Sequence, residues 1–325
     1  MDEQHRFGVE QRDALRAKGN EPPHLLVMTA TPIPRTVAMT VFGDLDVSEL
    51  KVLPSGRSPI ETFVVPAKEK PAFLARVWTR IREEVAKGHQ AYVVCPRIGG
   101  DAGDEADGDG SAPTAPDDDT KRSPLAVVDV AAELEAGPLQ GLRIGVLHGR
   151  LAPQEKDDVM TRFNEGEVDV LVATTVVEVG VNVPNASVMA ILDADRFGVS
   201  QLHQLRGRVG RGSVQGLCLL VTEADADSPA AVRLKAVAST TDGFALSRID
   251  LEQRREGDVL GAAQSGRRSS LRLLSVLHDE GLIGQAREAA TALVERDPRL
   301  AEHPVLARAV AALTESDQAD YLAMT

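Results

Sequence analysis

The stretch Gln201-Leu-His-Gln-Leu-Arg-Gly-Arg-Val-Gly-Arg-Gly212 decides how the rest of this chain is read. It sets three arginines, Arg206, Arg208 and Arg211, among three glycines, shortly after the apolar run from Val188 to Leu192. Glycine lets backbone approach a phosphate closely, and a guanidinium offers a planar fork of donors to it. Taken alone, the same residues would also suit a solvated basic turn. The surrounding sequence separates the two readings.

Upstream of the arginines, short apolar runs alternate with amphipathic ones. Strands are expected at Thr62–Val65, Ala91–Cys95, Arg143–Leu147, Val168–Ala173, Val188–Asp193 and Leu217–Thr222. Helices are expected between them: Phe73–Val85, with Leu74, Val77, Trp78, Ile81 and Val85 on one face, then Val127–Leu134 and Gln154–Phe163, entered through Pro153. Strands alternating with helices predict an α/β fold, a parallel sheet covered on both faces, from about residue 60 to 225. Past Glu223 the pattern turns helical, with Ser228-Pro229 as a helix start.

Length and composition bound the reading. A chain of 325 residues is long enough for two domains or so, with real cores. The apolar runs are four to eight residues long, well short of the roughly eighteen needed to cross a bilayer. Nothing after Met1 resembles a signal peptide, so a cytoplasmic location is expected. Cys95 and Cys218 sit alone inside apolar runs, without zinc-ligand spacing, and read as small buried hydrophobes. Net charge is −13, yet residues 101–120 carry eight acids and no base, so removing that segment leaves −5. This Asp/Gly/Ala/Pro-rich insert (100–121) reads as a disordered loop. Global charge therefore argues neither for nor against a nucleic-acid partner, which responds to local cationic surface.

Five short motifs then fall in order. Asp2-Glu3-Gln4-His5 opens the chain, and Thr29-Ala30-Thr31-Pro32 follows. His148-Gly149-Arg150 comes next, then Ala173-Thr174-Thr175 through Gly180-Val181-Asn182-Val183-Pro184, and last Gln204-x-x-Gly207-Arg208-x-Gly210-Arg211. The set resembles motifs II, III, V and VI of superfamily 2 helicases, together with the conserved turn of their second domain. That resemblance implies a RecA-like second helicase domain, with ATP and Mg²⁺ as cofactors. It implies that Asp2 holds the metal and that Glu3 positions the attacking water. Gln4, His5 and Gln204 would couple nucleotide state to the arginines, while Gly180 and Asn182 lie near the nucleotide sugar. The family more often has aspartate at position 182. Arg208 and Arg211 would reach the phosphates from across the cleft, as in-line phosphoryl transfer requires. Thr174, His148, Arg150 and Arg97 would grip the nucleic-acid backbone. For Asp2 and Glu3 the plain alternative is a solvated acidic terminus, and for His148 a structural histidine.

No Gly-x-x-x-x-Gly-Lys-Ser/Thr loop occurs in the chain. The expectation is a C-terminal portion of a larger motor, with the upstream first RecA-like and wedge domains absent and little ATP hydrolysis by itself. A truncated gene model is the other explanation for that start.

Gly243-Phe-Ala-Leu-Ser-Arg-Ile-Asp-Leu-Glu-Gln-Arg-Arg-Glu-Gly-Asp-Val-Leu-Gly-Ala-Ala-Gln-Ser-Gly266 resembles the translocation hairpin of the RecG family. Arg254 and Arg255 fall at its loop, where the family more often has Arg-Gly-Pro-Gly and this chain reads Arg254-Arg255-Glu256-Gly257, and Gln264 lies beyond it. Transcription-repair coupling translocases (Mfd) share the hairpin. Phe42-Gly43-Asp44-Leu45-Asp46-Val47-Ser48 and Leu53-Pro54-Ser55-Gly56-Arg57 favour RecG. The family implies a monomeric, ATP-dependent helicase and double-stranded DNA translocase acting on stalled forks and Holliday junctions. A catalytically dead DNA-binding fragment is the competing reading. The expected divisions are residues 1–58 (remnant of the first RecA-like domain), 59–226 (second RecA-like domain) and 227–325 (translocation hairpin and terminal helices).

Overall fold

The computed structural model describes residues 60–96, 126–175, 183–212, 214–253 and 279–314, besides Leu26, Met28, Ser48 and Leu50. The described residues from 60 to 250 form one compact unit, and 279–314 belong to another. Asp2, Glu3, Gln4, His5, Arg97, Gly180, Asn182, Arg254, Arg255 and Gln264 lie outside the described residues, as do the acidic insert and the motif at 29–32.

The first unit is built on a six-stranded sheet whose strands all run the same way. In chain order the strands are β1 (Ile60–Pro66), β2 (Gln90–Val94), β3 (Ile144–Leu147), β4 (Val170–Ala173), β5 (Ala186–Ile191) and β6 (Gly216–Thr222). Across the sheet they stand β1-β6-β5-β2-β4-β3. Between them come helices α1 (Pro71–Ala86), α2 (Val127–Ala136), α3 (Pro153–Asn164) and α4 (Val199–Arg206), followed by α5 (Pro229–Ser239) and α6 (Gly243–Gln253). Every expected strand and helix of this region is present, within two residues or so at each end. The α/β architecture read from the alternation is the one observed.

Alternation along each strand splits the core in two. Ala91, Val93 and Cys95, with Val170, Val172, Val188, Ala190, Leu219 and Val221, pack beneath α1 and α2. Their neighbours Tyr92, Val94, Leu171, Ala173, Met189, Ile191, Cys218 and Leu220 face α3, α4 and α5 on the other side. The central strands are buried on both faces, as a parallel sheet requires, so they read as unbroken apolar runs rather than alternating ones. Each fully buried Val, Leu or Ile contributes about 1.5–3 kcal/mol relative to exposure. Cys95 and Cys218 are buried free thiols, and burial pushes Cys218 up to about 12.

The helix starts follow local rules. Pro153 opens α3, where the Glu155 carboxylate accepts the Ala152 amide at 2.9 Å. Ser228 caps α5, its hydroxyl accepting from the Ala231 amide at 3.2 Å. Helices α7 (Glu280–Arg296) and α8 (Pro304–Thr314) lie in the second unit. Between them, Asp297 accepts the amides of Ala301 and Glu302 at 2.9 and 2.8 Å. Those backbone donors hold its carboxyl below the usual range.

Candidate functional site

Because all six strands are parallel, the sheet has one amino edge and one carboxyl edge, and the candidate residues divide between them. The arginine loop lies at the amino edge. Helix α4 runs back across the sheet, entered at Gly198, whose amide is accepted by the Gln201 side chain at 3.2 Å. It delivers Arg206 to Gly212 beside the first residues of three strands. The Gly210 amide donates to the carbonyl of Ala186, the start of β5, at 3.4 Å. A Cβ on Gly210 would stand 3.1 Å from the backbone nitrogen of Gly216, the start of β6, and 3.2 Å from the side chain of Ile60, the start of β1. Gly210 also has φ +67°, in the left-handed region that favours glycine. A Cβ on Gly212 would fall 2.6 Å from the Pro184 carbonyl oxygen. The second and third glycines of the opening stretch are therefore packing requirements, because protein atoms fill the space a side chain would take.

The three arginines do not share a role. Arg206 is 2% exposed, with Nη1 donating to the carbonyls of Val237 and Thr240 at 2.6 and 2.8 Å. Its Nη2 lies 2.8 Å from His203 Nδ1. Guanidinium only donates, so His203 accepts there and carries its proton on Nε2. Burial lowers the Arg206 pKa from its ordinary value, though three acceptors surround the charge. Arg206 thus ties α4 to the turn joining α5 and α6. Arg208 and Arg211 are half-buried at the loop itself, and Arg211 Nε donates to the Gly207 carbonyl at 3.0 Å. Gln204 is half-buried on α4, one turn before Arg208. Tyr92 on β2 is fully buried close enough to both loop arginines to feel their charge. Burial raises its hydroxyl above the ordinary value and the two guanidiniums oppose that rise.

The carboxyl edge carries Thr174, His148 and Arg150. Thr174 follows β4, and its amide donates to the Leu147 carbonyl at 3.1 Å, stitching β4 to the end of β3. The residue is 2% exposed, and its hydroxyl has no hydrogen-bond partner among the described residues. His148 and Gly149 are half-buried in the turn after β3, while Arg150 is exposed. Lys156 Nζ from α3 donates to the Gly149 carbonyl at 2.6 Å and fixes that turn. Further along the same edge, Asp193 follows β5 with φ 48° and ψ 45°, left-handed backbone at a non-glycine residue. Its carboxylate lies 3.7 Å from Arg196 Nε. The Thr222 hydroxyl donates to Asp195 Oδ1 at 2.6 Å.

Sequence reasoning missed Gln90 and Asn185 at the amino edge, and the structural role of Arg206. Gln90, Asn185 and Arg206 are bound into networks, and only Arg206 left a trace in the pattern. Val199, Leu202 and Arg206 recur at helical spacing on the buried face of α4. No group of three or more His, Cys, Asp or Glu that could hold a metal stands among the described residues. None of their helices is long and apolar enough to cross a membrane.

A parallel sheet with a glycine–arginine loop at one edge and a buried threonine at the other is a RecA-like lobe of the helicase kind. The family model "Helicase conserved C-terminal domain" matches residues 121–213. A second, "ATP-dependent DNA helicase RecG, domain 3, C-terminal", matches residues 240–318. The ATP-dependent DNA helicase RecG of Mycobacterium leprae is 52% identical over 99% of this chain and 42% of its own length. That of Bacillus subtilis is 44% identical over 91% of this chain and 40% of its own. A solved structure of RecG bound to a three-way DNA junction matches with TM-score 0.61 and 36% identity, over 87% of this chain and 32% of that one. Residues 240–318 thus match the RecG family's own model, and nearly the whole chain is similar to RecG helicases. The chain spans about two-fifths of the length of the curated relatives it matches.

Proposed function

We propose that these residues form the second motor lobe, and the helical segment after it, of an ATP-driven helicase and double-stranded DNA translocase. Its substrates are branched DNAs, namely stalled forks and Holliday junctions, met as a monomer in the cytoplasm. The relative solved with a three-way junction supports the branched-DNA partner. The observation that carries the reading is the division of the site. Arg208 and Arg211 stand at the amino edge on a loop fixed by Gly210 and Gly212, while Thr174, His148 and Arg150 stand at the opposite edge.

In this reading residues 59–226 are the second RecA-like domain, 227–325 the translocation hairpin and terminal helices, and 1–58 part of the first domain. The amino edge fits a nucleotide phosphate, because one loop held by packed glycines carries two half-buried guanidiniums, Arg208 and Arg211. Arg211, held through Nε by the Gly207 carbonyl, stabilises charge developing on the γ-phosphate, and Arg208 orients that phosphate. Asn182 and Gly180 serve the sugar side, and Gln4, His5 and Gln204 link occupancy to the arginines. Asp2 is the residue for Mg²⁺, which supplies charge neutralisation when bound, and Glu3 positions the attacking water. At the other edge the Thr174 hydroxyl and the His148–Arg150 turn bind backbone phosphates, joined by Arg97. Arg206 ties the nucleotide edge to Val237, in α5, and to Thr240, in the turn that leads into α6.

A second reading, a DNA-binding piece without turnover, is favoured by one observation: the 325 residues contain no Gly-x-x-x-x-Gly-Lys-Ser/Thr. The two readings meet in one expectation. These residues alone bind branched DNA and hydrolyse little ATP. Fluorescence anisotropy on a labelled three-way junction, with a parallel phosphate-release assay, tests it. Binding that weakens with salt and with Arg150→Ala, without turnover, supports the proposal. No preference for junction over single strand sinks the branched-DNA reading, and DNA-stimulated turnover by these residues alone sinks the division of labour.

A further inference from the structure

We propose that Asn185, locked to Gln90, is the positioning residue that sets the arginine loop in register with the sheet. The inference rests on the reading of that loop as the nucleotide edge. Val183-Pro184-Asn185-Ala186 is a tight turn closed by the Ala186 amide donating to the Val183 carbonyl at 3.1 Å. Proline followed by asparagine suits the two central positions of such a turn.

One side of the turn belongs to the loop: the Pro184 carbonyl abuts Gly212, and the Ala186 carbonyl accepts the Gly210 amide. The other side belongs to Asn185. Its Nδ2 donates to the Gly88 carbonyl at 2.9 Å and to Gln90 Oε1 at 3.3 Å. His89 Nδ1 lies 3.3 Å from its Oδ1, and its carbonyl accepts the Gln90 amide at 3.1 Å. Gln90 is itself 3% exposed, its Nε2 donating to the carbonyls of Phe163 and Val168. A chain of amides therefore runs from the α3–β4 turn through Gln90 and Asn185 to the backbone that seats Gly210 and Gly212. An aspartate at 185 would keep the shape and lose the donor, setting a carboxylate against the Gly88 carbonyl.

Hydrogen exchange on the whole chain tests the lock directly. In Asn185→Ala and Asn185→Asp, amides of residues 207–212 exchange at least about tenfold faster, while those of β2 and β4 keep their protection. An unchanged loop overturns the proposal, as does uniform acceleration across the sheet, which would mark a general structural role. The second readout uses a RecG-family polypeptide that carries both motor lobes. There Asn185→Ala lowers kcat for ATP about tenfold or more while junction Kd stays within about twofold. Faster loop exchange with unchanged kcat overturns the positioning role. A parent polypeptide without any ATP turnover instead sinks the motor reading, and the exchange data still decide the lock.

Discussion

The two edges of the sheet are finished differently. At the amino edge, backbone meets backbone: Gly210 against Gly216, Gly212 against Pro184, and side-chain amides spanning the turns between them. At the carboxyl edge, side chains close the turns: Lys156 on the Gly149 carbonyl and Thr222 on Asp195, while the Thr174 hydroxyl is buried without a hydrogen-bond partner among the described residues. One edge is closed by backbone packed on backbone, and the other by side chains set into turns. The strands between them have four to seven residues, so the edges stand on the order of 13–23 Å apart. In the proposed reading, a single sheet serves two phosphate chemistries, one at each edge, without mixing them.

The sharpest way to break this contrast is Arg211→Ala in a polypeptide with both lobes. ATP turnover should fall by about 10³–10⁵ while junction affinity holds. Equal loss of DNA binding would merge the two edges into one site. Next comes Arg206→Met, which strands the carbonyls of Val237 and Thr240 and should cost about 3 kcal/mol in urea unfolding. Stability unchanged would show that the buried guanidinium is dispensable. Gly212→Ala forces a methyl toward the Pro184 oxygen and should cost about 1–3 kcal/mol by the same measurement. At the opposite edge, Thr174→Val removes a buried hydroxyl and should leave the melting temperature level or slightly higher while weakening junction binding. A loss of stability there would mean that the hydroxyl serves the fold.

The smallest effect concerns pH. Hydrogen bonds from Arg143 hold the Asp169 carboxyl below its ordinary value. A depressed carboxyl stabilises the fold above its unfolded pKa of about 4, and that contribution disappears as pH falls through the folded value. Arg143 is well exposed, so the pair is screened and its share modest. Acid unfolding of Asp169→Asn should show a shallower loss of stability below that pH than the parent.

Much of this was legible in the sequence. Runs such as Val188–Asp193 and helix signals such as Ser228-Pro229 state their own structure, because burial on two faces and capping are local demands. The sheet order was not legible, since nothing in β1 announces that its neighbour is β6. The edges follow from that order, so the opposite placement of Thr174 and Arg211 emerged only in three dimensions. Arg206, Arg208 and Arg211 look equivalent as letters. Helical phase alone separates the first, which points into the core with Val199 and Leu202. Asn185 and Gln90 carry no sequence signal beyond a turn dipeptide, because their partners are backbone carbonyls far along the chain.

The pairing of β1 with β6 has a mechanical meaning. The chain enters the lobe at Ile60 and leaves the sheet at Thr222, at opposite ends of two adjacent parallel strands matched over seven positions. Tension applied through those ends drags the strands past each other lengthwise. The rungs between them are then strained together rather than unzipped one at a time. A lobe threaded in this way meets a pull along its own polypeptide with all seven matched positions at once.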